Sequence, residues 1–109
     1  LEATPVTARR FGEELDENFI SFSAAQKLGL NTEELDSGAD GTDEMVLVVA
    51  DGDRLVHRRV IGTVVVWWWA ANRPGFRLMM WVMEGGLPDG TDIALGRPYE
   101  KGRNHCYKR

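Results

Sequence analysis

Apolar and polar residues follow two different rhythms along this chain. In the first third, Ala8, Phe11, Leu15 and Phe19 or Phe22 recur near the helical period, with Arg9, Arg10, Glu13, Glu14 and Glu17 between them. Thr4-Pro5 can open a helix there, with threonine as N-cap and proline at the first helical position. A second helix is predicted from Ser23, where Ser23 and Gln26 have capping-box spacing and Gly29 suits the stop. Asn31 and Glu34 repeat that spacing for a short third turn ending near Leu35. From Met45 onward the rhythm becomes that of strands. "MVLVVADGDRLVHRRVIG" reads as a hairpin about Asp51-Gly52, and "TVVVWWWAANRPGFRLMMWVME" as a second about residues 72–75. Gly62 falls where one continuous strand would be too long to stay straight, so it predicts a bend or bulge. Thr91 to Leu95 predicts one more short strand.

These elements predict a single α+β domain, with N-terminal helices packed on a curved antiparallel sheet of four to six strands. Residues 1–35 form its helical part, 36–44 an acidic loop, 45–95 the sheet and 96–109 a basic tail of undefined structure. The length of 109 residues supports one core. No internal repeat is visible.

The second hairpin dominates the picture. It holds all four tryptophans, Trp67, Trp68, Trp69 and Trp81, and three methionines, Met79, Met80 and Met83. Whether the loop is residues 72–75, with Ala71 opposite Phe76, or a tight Pro74-Gly75 turn, with Arg73 opposite Phe76, the same partition follows. Val64, Val66, Trp68, Met79, Trp81 and Met83 fall on one face, and Val65, Trp67, Trp69, Leu78, Met80 and Val82 on the other. Both faces are apolar, although an antiparallel sheet in a small protein usually shows water one polar face. The helices can cover one face. The other is expected to be a cavity wall, a subunit interface or the seat of another chain. In the first hairpin, a two-residue Asp51-Gly52 turn places Val46, Val48, Leu55, His57 and Ile61 on one face.

Charge and candidate chemistry change this only a little. Residues 1–44 carry eleven acids and three bases, and residues 45–109 six acids and ten bases, within a formal net charge of −4. The two parts can attract each other, or the basic part can meet an anion. Cys106 alone forms no internal disulfide, and two histidines with one cysteine make no zinc site. No cofactor motif or metal-ligand cluster stands out. The beginning lacks a signal-peptide core, and the apolar run from Val64 to Ala71 is far shorter than the roughly 20 residues of a membrane span. A cytoplasmic protein without membrane contact is therefore expected. "SAAQKLGLNTEEL" resembles the helix-turn-helix of bacterial repressors, but the would-be reading helix is acidic and would repel a duplex. The tail interleaves Arg97, Lys101, Arg103, Lys108 and Arg109 with Tyr99 and Tyr107. Such a mixture can bind single strands, but it lacks an RNA-binding signature, and nucleic acid is not the expected partner.

Two segments, "ARRFGEELD" and "VVADGDRLVHRRVIGT", resemble the first helix and the central hairpin of the SnoaL-like and ketosteroid-isomerase-like proteins. That resemblance implies a curved sheet wrapped around a helix, an apolar pocket and pairing through the outer sheet face. It carries over no catalytic residue. The leading expectation is a small protein, homodimeric, that binds an apolar or aromatic small molecule through Trp67, Trp68, Trp69, Met79, Met80, Trp81 and Met83. A structural subunit whose aromatic sheet face meets another chain is the second. The third is an isomerase or cyclase with His57 or Asp92 as general base.

Overall fold

The computed structural model describes residues 5–34, 46–51, 54–68, 75–87 and 90–107, with side chains described outside 34–58 and 103–107. Seven strands are present among these: β1 (Ala8–Arg10), β2 (Phe19–Ser21), β3 (Glu33–Glu34), β4 (Val46–Asp51), β5 (Arg54–Trp68), β6 (Phe76–Met83) and β7 (Ile93–Leu95). Helix α1 spans Phe22–Lys27, helix α2 spans Arg97–Tyr107, and a 3-10 turn spans Gly12–Glu14. The sheet runs β1-β7-β2-β6-β5-β3, with β4 also paired to β5. It is mixed, since β1 is parallel to β7 and β2 to β6. The α+β class holds, but the sheet is neither purely antiparallel nor limited to six strands.

The expected N-terminal helix does not form. Residues 8–10 are exposed edge strand, and Gly12 turns the chain at φ 64°. Gly12 can hold this left-handed conformation without a Cβ penalty, and a helix cannot pass through it. Phe11 and Leu15 still point the same way, onto the sheet, which is what their spacing recorded. The third helical turn is likewise absent, because Glu33–Glu34 pairs with Thr63 and Gly62 of β5. A Cβ at Gly62 would meet the Glu33 carbonyl oxygen at 2.5 Å and the Thr32 methyl at 2.6 Å, so this glycine admits β3. It also marks the predicted bulge, for the pairing with β6 shifts between Val60 and Gly62.

Helix α1 starts one residue earlier than expected. Ser21 is its N-cap, with its Oγ accepting from Ala24 N–H at 3.1 Å, and Gly29 at φ 69° follows its end. The basic tail, whose structure the sequence left open, is largely helix α2. Strand β7 begins at Ile93 rather than Thr91. Thr4 and residues 36–44 and 72–74 lie outside the described residues.

In the first hairpin Asp51 pairs with Arg54, two positions from the expected register, which leaves the alternation unchanged. In the second, Trp68 pairs with Phe76. An odd number of residues, 69–75, separates them, so β6 is inverted relative to the expected partition. The faces are corrected accordingly. Val64, Val66, Trp68, Phe76, Leu78, Met80 and Val82 share the first face, and Thr63, Val65, Trp67, Arg77, Met79 and Trp81 share the second.

The first face carries the main core. Ile20, Val64, Leu78, Met80, Val82, Ile93 and Leu95 pack there with Ala24 and Ala25 of α1. Helix α2 closes its far end. Tyr99 meets Trp68 edge-on at 5.6 Å between ring centroids and Phe76 at 6.0 Å, and Gly102 leaves room for the Phe76 ring. Arg10 on β1 clamps Glu100 through two 2.9 Å hydrogen bonds, which raise the guanidinium above its ordinary range. The second face holds a smaller cluster of Phe19, Val60, Met83, Leu87 and Ala94, covered by Phe11 and Leu15.

Gly96 joins β7 to α2 and lies against the carbonyl oxygens of Leu15 and Glu17. A methyl group cannot enter without moving backbone. Gly96→Ala should therefore lower stability by about 1–3 kcal/mol, the usual range for overpacking, measured as a shift in denaturant midpoint.

Candidate functional site

The strand alternation that buries Leu78 and Met80 turns Met79 outward, and the same rule turns Val65 and Trp67 outward from β5. Val65 lies directly opposite Met79, and Trp67 opposite Arg77. These three apolar residues are exposed by 51% (Val65), 62% (Trp67) and 39% (Met79). Single exposed apolar side chains are ordinary, but three neighbours on one sheet face with a tryptophan among them form a patch. The Trp67 indole leans over Gly75, whose missing Cβ would otherwise collide with it. The patch ends where residues 11–15 cross the same face. At that margin the Trp81 ring is half-buried, with its Nε1 buried and without a hydrogen-bond partner among the described residues.

Charged residues stand at two opposite corners. Glu33 is paired with Thr63 and so shares this face at the β3 edge. Arg77 stands beyond Met79 at the hairpin end of β6. Both are exposed, and neither has an ion-pair partner among the described residues.

The seven proposed ligand-binding residues are not gathered in one place. Trp67, Met79, Trp81 and Met83 belong to the second face, and Trp68 and Met80 to the first. Met80 and Met83 are fully buried in different clusters. Trp68 is half-buried under Tyr99. Trp69 lies outside the described residues, as does the His57 side chain, whose backbone pairs with Val48.

Asp92 lines a shallow cleft of about 360 Å³ with Ser21, Ser23, Gln26, Leu87 and Thr91. Its carboxylate Oδ2 accepts from Thr7 N–H at 2.9 Å, and its backbone carbonyl accepts from Ser21 N–H at 2.9 Å. Ser21 Oγ is occupied as the helix cap. The polar groups of this cleft that have defined partners therefore hold Thr7 and Ser21 to Asp92 and cap α1. Among the described residues, no group of three His, Cys, Asp or Glu side chains could hold a metal ion, and no helix is long and apolar enough to cross a membrane. No protein-family model, curated protein or solved structure matches this chain.

Two positioning residues escaped sequence reasoning. Asn18 is fully buried; its Oδ1 accepts from Gly96 N–H at 2.7 Å and its Nδ2 donates to the Met79 carbonyl at 3.3 Å. Tyr99 was read only as part of the basic tail. A lone asparagine in a loop offers no pattern to find it by. The tyrosine was detectable only by asking which face Trp68 and Phe76 would need covered.

Proposed function

We propose that this chain is a non-catalytic assembly module whose open sheet face seats against another protein chain. The observation carrying this reading is the contiguous exposure of Val65, Trp67 and Met79 on a face whose other part is covered by Phe11 and Leu15. Trp and Met are enriched at protein interfaces, and burying them removes apolar area from water at roughly 25 cal/mol per Å². A pocket for an apolar small molecule would need the tryptophans and methionines to converge, and they divide between two faces. For the isomerase or cyclase reading, the Asp92 carboxylate is held through Oδ2 by the Thr7 N–H, a contact that ties the N-terminal segment to the sheet.

Met79 gives the test. In the free chain, peroxide should oxidise Met79 before the fully buried Met80 and Met83, because oxidation follows exposure. In the assembled protein, Met79 should be protected. Trp67→Ser should remove that protection while changing stability by only about 0.5 kcal/mol, as expected for an exposed position. Equal oxidation of Met79 in the free and assembled protein would rule this face out.

A further inference from the structure

Glu33 and Arg77 bracket the open face, and their placement suits one occupant in particular. Along β5, the row runs from Thr63, beside Glu33, through Val65 to Trp67, beside Arg77. At roughly 3.3 Å per residue that is about 13 Å, and the two strand spacings between β3 and β6 add roughly 10 Å across. The acid and the base thus lie about 16 Å apart on a diagonal, on general strand spacings. The midpoint of that diagonal is Val65, an apolar residue.

We infer that the occupant is a second copy of this chain, packed face to face about a two-fold axis through Val65. This rests on the reading of the sheet face as an interface. In an isologous contact, if residue i meets residue j, then j meets i. An axis perpendicular to the Glu33–Arg77 diagonal therefore places each Glu33 against the partner's Arg77, twice. Val65 meets its own copy on the axis. Met79 lies over the partner's Thr63, and Trp67 reaches the partner's β3 edge beside Glu33.

The charge pattern favours this occupant over others. Among the described residues one acid and one base flank the patch and balance each other, so they offer no net field to select a polyanion or a strongly acidic protein. Their antisymmetric placement about an apolar centre is self-complementary, which a partner of different sequence would not require. Two sheet faces can pack at about 10 Å separation with their side chains interdigitated.

Charge reversal tests the arrangement directly. Sedimentation equilibrium should find a dimer for the wild-type chain. Glu33→Arg sets arginine against arginine at both contacts, and Arg77→Glu sets glutamate against glutamate. Each should weaken dimerisation roughly tenfold or more, as like-charge juxtaposition does. The double variant E33R/R77E should restore it. Mixing the two single variants should also restore it, now as a heterodimer, because each copy then offers the other the opposite sign twice. An intramolecular role for either residue would give no rescue on mixing.

Two results would overturn the inference, and they differ in what else they remove. A wild-type chain that stays monomeric, with Met79 protected only when a different protein is bound, removes the second copy and leaves the interface reading intact. A dimer unaffected by either reversal and by Trp67→Ser places the contact elsewhere and removes both.

Discussion

Met80→Ala should lower the unfolding free energy by ~2–5 kcal/mol, the usual range for truncating a buried methionine. Met79→Ala, one residue earlier in the same strand, should cost less than about 1 kcal/mol. Met80 is fully buried at the centre of the main cluster, between the sheet and α1, and has no room to be replaced by water. Its removal leaves a cavity that a close-packed core fills only in part. Met79 is 39% exposed, so its truncation opens no enclosed cavity. Denaturant midpoints of the two variants, with unchanged slopes, measure the contrast. Trp68 and Trp67 should repeat it, with the larger loss at Trp68, which supports Tyr99. Equal effects within either pair would mean that β5 and β6 do not present the faces described.

Asn18→Ala should be comparably severe, at about 2–4 kcal/mol, because it combines a small cavity with an unpaired buried donor. Oδ1 is the acceptor for Gly96 N–H, and Nδ2 reaches the Met79 carbonyl. The backbone carbonyl of Asn18 also accepts from Trp81 N–H at 2.9 Å. One side chain thus ties the turn before α2 to β6 from inside. Asn18→Asp keeps the acceptor but loses the donor and buries a carboxylate, which is costly without a paired cation. It should be at least as destabilising at neutral pH and recover partly in acid, where the carboxyl is neutral and can donate. Thermal unfolding followed at two pH values separates these cases. A stable Asn18→Ala protein would show that Gly96 finds another acceptor.

The contrast between the two hairpins shows what could be read ahead of the fold. Both turns were misplaced. In the first, Asp51 meets Arg54 where Ala50 was expected to meet Asp53, a shift that preserves alternation, so the expected faces survive. In the second, Trp68 meets Phe76 where Ala71 or Arg73 was expected, an odd displacement that inverts every residue of β6 relative to β5. Alternation within a strand is local and was legible. Register is set by how the loop closes, and neither Asn72 nor Pro74 determines that alone. The apolar character of both faces was also legible, because it does not depend on register.

The N-terminal helix failed for a different reason. Phe11 and Leu15 are spaced as on a helix because both must reach one side of the sheet, and a strand followed by a 3-10 turn meets that demand as well. Nothing local announces that residues 8–10 will lie parallel to residues 93–95. The candidate site was half legible. Trp67 and Met79 were named, but so were Met80 and Met83, which are core. Glu33 and Arg77 were not, since neither is distinctive until β3 is placed beside Thr63.

The sheet order bears on how the chain acquires its shape. Strand β2 lies between β6 and β7, and Thr7 is hydrogen-bonded to Asp92 across a separation of 85 residues. During synthesis, residues 8–21 emerge long before anything they pair with. The β5–β6 hairpin closes a short loop and can form early, whereas the parallel pairings wait for nearly the whole chain. Until then Phe11, Phe19 and Ile20 have no cover, and the nascent segment is a natural client for chaperones. Stalling translation before Ile93 should therefore leave β1 without its partner and protease-sensitive beside an already structured hairpin.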